Sequence, residues 1–167
     1  EEPVVLEKTF RPYIDDITKI KDLSEYEEVH IVACGSAMYA GIIGKTLLEE
    51  KANIKCFVEC ASEYRYKKVI YDRKTLVILI SQSGETADTI AALKLAKSKG
   101  AITIAVSNVI GSSITREADY TLYTHAGQEI AVASTKAYTS QIVLLAILAI
   151  YFAEVLEKNK KKVKELK

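Results

Sequence analysis

The residues best suited to bind a charged ligand are Ser81-Gln82-Ser83-Gly84-Glu85-Thr86. An apolar run, Thr75 to Ile80, leads into them, and a helical pattern follows to about Lys99. The start of a helix carries unpaired N–H groups and the positive pole of the macrodipole. That makes it a ready place for a phosphate. The hydroxyls of Ser81, Ser83 and Thr86 and the amide of Gln82 can donate to phosphate oxygens without adding charge. The simpler reading is a helix cap, Ser83 with Thr86 or Ser81 with Gly84. Six small or polar residues in succession exceed the needs of one cap, so the stretch is read as an anion site.

Other chemistry-bearing residues are more ambiguous. Glu129 and Lys136 are the two charges in an otherwise apolar stretch before the last helix. A glutamate there can act as a base, and a lysine can pair with phosphate or form an imine. A mutual or solvated ion pair stands on equal terms with those roles. Cys34 directly follows an apolar strand, but neither His30 nor His125 is placed to activate it, so it reads as a buried filler. Gly44-Lys45-Thr46 imitates the end of a P-loop, yet Tyr39 stands where the earlier glycine is required. Gly35 stands alone before its helix, so no dinucleotide fingerprint is present. Gly111-Ser112-Ser113 resembles a second anion nest and reads as a plain cap.

The elements that must position these groups alternate. Strands are expected at Val29–Ala33, Ile54–Glu59, Thr75–Ile80, Ala101–Val106 and Tyr120–Tyr123. Helical spacing joins Met38, Ile42, Ile43, Leu47 and Leu48 up to Glu50, and a short helix is expected through Tyr64 and Tyr66. Another runs from Thr86 to Lys99, a short one from Gly111 to Arg116, and a long apolar one from Ser134 to Glu157. Alternation predicts an α/β fold of three layers, with a five-stranded parallel sheet in the flavodoxin-like order 2-1-3-4-5. Strands one and three are then neighbours whose connections leave to opposite faces, and ligands bind beyond their carboxyl ends. Cys34-Gly35-Ser36 and Ser81–Thr86 both border that crevice. Residues 1–28 read as a lead-in, interrupted by Pro3 and Pro12, with a short helix over about residues 12–22. Residues 29–157 form the domain, and the Lys-rich residues 158–167 are a solvated tail or linker.

Composition narrows the partners. The 167 residues carry a formal net charge of +1 and are 49% hydrophobic, as expected for one globular domain without a nucleic-acid surface. The longest apolar stretch, Ile142 to Ala153, reads as too short to span a bilayer. No metal or cofactor pattern emerges. Cys34, Cys56 and Cys60 have no zinc spacing and cannot all pair, which fits reduced thiols and a cytoplasmic protein.

Two long segments, Ser81-Gln-Ser-Gly-Glu-Thr-Ala-Asp-Thr89 and Glu129-Ile-Ala-Val-Ala-Ser-Thr-Lys-Ala-Tyr-Thr-Ser-Gln141, carry a family resemblance. Ala33-Cys-Gly-Ser36, Ala61-Ser-Glu63 and Gly111-Ser-Ser113 support it. The chain resembles the sugar isomerase (SIS) domain family over about residues 1–151. Within that family it is most similar to the first of two SIS subdomains of the glutamine:fructose-6-phosphate aminotransferases. The resemblance implies that Ser81, Gln82, Ser83 and Thr86 bind the phosphate of fructose 6-phosphate or glucosamine 6-phosphate. It implies sugar contacts from Ser36, Val132 (through its backbone) and Ser134, and an electrostatic or structural role for Lys136. Many members have Thr-Ser after Cys-Gly; this chain has Ser36-Ala37 and lacks the second hydroxyl. The resemblance also implies a glutaminase domain and a second SIS subdomain in the intact enzyme, and a homodimer. The base and the imine-forming lysine belong to that second half, so this chain is expected to bind the sugar phosphate without turning it over. A stand-alone SIS sensor and a flavodoxin-like mononucleotide binder are the rival readings.

Overall fold

The sheet is built around its most apolar strand. In the computed structural model, which describes residues 2–16, 20, 23–68, 71, 74–128 and 134–165, β3 (Thr75–Ser81) is buried along its whole length. Strand β1 (Glu28–Ala33) pairs with it on one side and β4 (Ile102–Ser107) on the other. Strands β2 (Lys55–Cys60) and β5 (Tyr120–Tyr123) form the edges. All pairings are parallel and the order is β2-β1-β3-β4-β5. A strand buried on both faces reads as a near-continuous apolar run, which is how Leu76–Ile80 reads.

Helices cover both faces. On one face α2 (Ser36–Leu47) and the long α6 (Lys136–Glu165) enclose a core that includes Ile31, Ile78, Ile104, Leu145 and Phe152. On the other, α3 (Ala61–Tyr64), α4 (Ala87–Ser98) and α5 (Ser113–Glu117) cover Val32, Val77, Leu79 and Ala105. The connections after β1 and β3 therefore leave to opposite faces. The P-loop look-alike lies within α2. Its Gly44 serves close helix packing, since a Cβ there would approach Leu145 Cδ1 to 2.7 Å.

Several expectations need correction. The first helix, α1, spans Glu2–Asp16 and runs through Pro12, rather than starting there. Proline in a helix interior removes one hydrogen bond, but polar tertiary contacts hold the segment. Thr9 is fully buried and its hydroxyl donates to the Thr124 carbonyl, and Tyr13 Oη donates to the Tyr123 carbonyl at 3.1 Å. Ile20 and Leu23 do reach the core, from outside α1; Leu23 begins a 3-10 turn, Leu23–Glu25. Helix α2 continues as a wider π-type turn, Leu48–Ala52, and left-handed Asn53 (φ 51°) ends it. Helix α6 extends to Glu165, well into the expected tail.

Over Lys136–Glu157 that helix is long and apolar enough, by length and composition, to cross a bilayer. One side of it builds the interior, where Leu144, Leu145, Leu148 and Phe152 are fully buried, while Ile150 is exposed.

Candidate functional site

A polar cleft of about 170 Å³ opens at the carboxyl ends of β1 and β3. The turn after β1 supplies Cys34, Ser36 and Ala37. The turn after β3 supplies Ile80, Ser81, Gln82, Ser83 and Thr86, and the first turn of α4 adds Thr89. Ser134, just before α6, and Gln141 on α6 complete the wall. Among the described residues, no wall side chain carries a formal charge. The space is smaller than the roughly 300–1,000 Å³ typical of sites that enclose a small molecule, so it matches the charged end of a ligand better than a whole one.

The loop between β3 and α4 is held by its own side chains. Gly84 N–H donates to Ser81 Oγ at 3.1 Å, and Ser81 Oγ meets Thr86 Oγ1 at 3.0 Å. Glu85 N–H donates to Ser83 Oγ at 3.2 Å. Ser81 is 3% exposed; it shapes the loop, while Ser83 is open to solvent. Thr86 is the N-cap residue of α4, and its side chain makes no capping bond. The hydroxyl cluster thus leaves the first-turn N–H groups without the side-chain acceptor that a simple cap provides.

A second loop fastens the first. Asn108 N–H donates to the Gln82 carbonyl at 3.1 Å, and Ile114 N–H to the Gly84 carbonyl at 3.1 Å. Glu85 accepts from Ser113 N–H and Ser113 Oγ, both at 2.7 Å. Those two bonds, the backbone one first, hold the Glu85 carboxyl below the usual range. The expected plain serine cap at Gly111-Ser112-Ser113 is therefore corrected. Ser112 occupies the N-cap of α5 without a side-chain capping bond, and Glu85 from the neighbouring loop takes that role.

The cysteines differ in their surroundings. Burial pushes the Cys34 thiol up, against hydrogen bonds from Ser62 and Ala61. Cys56 is pushed up to about 12 by burial, with a smaller effect from Glu49. Hydrogen bonds from Ser62 hold the Cys60 thiol down; its Sγ lies 3.1 Å from Ser62 Oγ. Neither histidine reaches the cleft. His30 binds Glu28 at 2.7 Å within β1, and His125 is exposed after β5.

A model of the SIS domain matches residues 22–151. The chain belongs to the SIS domain family. Its full length is 52% identical to the glutamine–fructose-6-phosphate aminotransferase (isomerizing) of Clostridium tetani, of which it spans 29%. With the enzyme of the same name from Caldanaerobacter subterraneus it shares 51% identity over 92% of the chain and 27% of that protein. The C-terminal domain of glucosamine-fructose-6-phosphate aminotransferase from Francisella tularensis superposes with a TM-score of 0.88 at 35% identity, over 99% of this chain and 51% of that structure. The chain is thus homologous to one half of that domain and spans less than a third of the two curated relatives.

Within this SIS domain, Ser36, Ser81, Gln82, Ser83, Thr86 and Ser134 converge on one cleft. Lys136 opens α6, half-buried, and is not part of the cleft wall. Glu129 and Val132 lie outside the described residues. Sequence reasoning missed Thr89 and Gln141. Both belonged to the two long motifs, and Ser140-Gln141 is a polar pair inside an apolar helix, which was the available signal.

Proposed function

We propose that this SIS domain is the half of a glutamine:fructose-6-phosphate aminotransferase that anchors the sugar phosphate by its phosphate group. The observation that supports this most is the start of α4. It lacks a side-chain cap and opens into a cleft, uncharged among the described residues, that is ringed by Ser81, Gln82, Ser83 and Thr86. A dianion there gains from the helix dipole and from hydroxyl and amide donors. Ser36 and Ser134, across the cleft, then contact the sugar.

Conversion of a ketose to an aldose moves a proton between adjacent carbons, which needs a positioned base. Among the described residues the cleft wall holds no carboxylate, imidazole or amine. This half therefore supplies orientation, which by itself lowers the barrier, and the second SIS subdomain supplies the base. In the intact enzyme a glutaminase domain delivers ammonia, and the protein works in the cytoplasm as a homodimer. The relatives' extra length and names, and the three free thiols, support that reading.

The test is an NMR titration of the chain with fructose 6-phosphate and glucosamine 6-phosphate, on wild type and Ser83→Ala. Removing a hydroxyl that donates to a charged group should weaken binding about tenfold or more. Equal affinity in the variant would sink the phosphate assignment. Isomerisation of fructose 6-phosphate by the chain alone would refute the division of labour.

A further inference from the structure

Two polar groups bordering the cleft lack a partner. Among the described residues, nothing forms a hydrogen bond to the buried atoms Thr89 Oγ1 and Gln141 Oε1. Thr89 is 0% and Gln141 2% exposed, yet both side chains line the cleft. They come from helices on opposite faces of the sheet, Thr89 from the first turn of α4 and Gln141 from the second turn of α6. A buried polar atom left unpaired forfeits its hydrogen bonds to water, so such a group usually has a ligand or ordered water to meet.

The chemistry of the orphan separates the two ends of a sugar phosphate. Gln141 Oε1 is an amide oxygen and only accepts. A phosphate dianion also only accepts, and it already faces the donors at Gln82, Ser83 and Thr86. The partner that Gln141 lacks must carry an O–H or N–H. On a sugar phosphate those groups sit on the carbon chain next to the phosphate. Thr89, with a hydroxyl that donates or accepts, suits either neighbour.

We propose that Gln141, supported by Thr89, positions the hydroxyl-bearing carbon chain of the ligand and so separates sugar phosphates from inorganic phosphate. This rests on the reading of Ser81–Thr86 as the phosphate site. Binding then has two parts: the β3–α4 loop takes any phosphate, and the α6 side of the cleft takes the polyol. The orphaned atoms are a local instability retained for binding, as polar groups at functional sites often are.

The experiment compares wild type, Gln141→Met, Gln141→Asn, Thr89→Val and Ser83→Ala. Each is titrated by NMR with inorganic phosphate and with fructose 6-phosphate, and melted without ligand. Gln141→Met keeps the volume and removes the amide. It should weaken fructose 6-phosphate by about five- to tenfold, the equivalent of one hydrogen bond. Inorganic phosphate affinity should stay unchanged, and Tm should be no lower than wild type. Gln141→Asn, which withdraws the amide by one methylene, should show the same selective loss, and Thr89→Val a smaller one. Ser83→Ala should weaken both ligands. The inference is overturned if Gln141→Met binds fructose 6-phosphate as wild type does, if it loses both ligands in equal proportion, or if its Tm falls as for a structural glutamine. If wild type binds neither ligand, or Ser83→Ala changes neither, the phosphate-site reading itself has failed and the inference falls with it.

Discussion

Gly84 and Ser112 pack so closely that a Cβ on Gly84 would lie 2.0 Å from Ser112 Oγ. The same atom would come within 2.9 Å of Ser107 Oγ, and Gly84 already has a φ of +70°. Steric demand and backbone conformation therefore both require glycine at the centre of the β3–α4 loop. Gly84→Ala should destabilise the fold by about 2 kcal/mol or more and abolish detectable sugar-phosphate binding. Adding Ser112→Gly removes the overlap with Ser112 but neither the close approach to Ser107 Oγ nor the strained φ, so the double variant should recover part of the loss. Denaturant melts of the two variants check this; an unaltered Gly84→Ala midpoint would contradict it.

The three thiols should react in a set order. With Cys60 held down by Ser62, Cys34 raised by burial and Cys56 pushed up to about 12, alkylation at pH 8 should label Cys60 first, Cys34 later and Cys56 last. A thiol near 12 is only about one part in ten thousand thiolate at pH 8. Fructose 6-phosphate should protect Cys34, which lines the cleft, and leave Cys60 unaffected. Mass spectrometry of timed iodoacetamide reactions gives the order, and rapid labelling of Cys56 in the folded chain would contradict it.

Asp119 ties the start of β4 to the turn before β5. Its Oδ2 accepts from Thr103 N–H at 2.9 Å and Thr103 Oγ1 at 2.7 Å, and its Oδ1 meets Lys97 Nζ at 3.0 Å. Burial alone would raise its carboxyl, but the bonds from Thr103 and Lys97 outweigh that and hold it below the usual range. A carboxyl depressed in the folded state contributes stability above its unfolded pKa of about 3.9 and loses it as pH falls through the folded value. Asp119→Asn should therefore cost about 1 kcal/mol at pH 7, a modest figure for a partly exposed group. The gap from wild type should close as pH drops below about 4. A gap that widens in acid would reverse the argument.

The order of the strands and the place of the crevice were legible without coordinates, because both follow from local pattern. Thr75–Ile80 is too apolar to be anything but a central strand, and alternation with helices then forces parallel pairing and a crevice beside β1 and β3. The polar loop between β3 and α4 was legible for the same reason: its residues are consecutive. What depends on side chains from distant segments was not. The sequence reads as a short helix over about residues 12–22, whereas contacts with Tyr123 and Thr124 hold Thr9 and Tyr13 in a helix that begins at Glu2. Ser112 looked like its own helix cap until Glu85 came near it. Thr89 and Gln141, about fifty residues apart, share one cleft only because α4 and α6 flank the same end of the sheet. Strands and helices are written in neighbouring residues, since backbone hydrogen bonding and burial repeat with a short period. Which polar groups meet, and which are left unpaired, is decided when the segments pack.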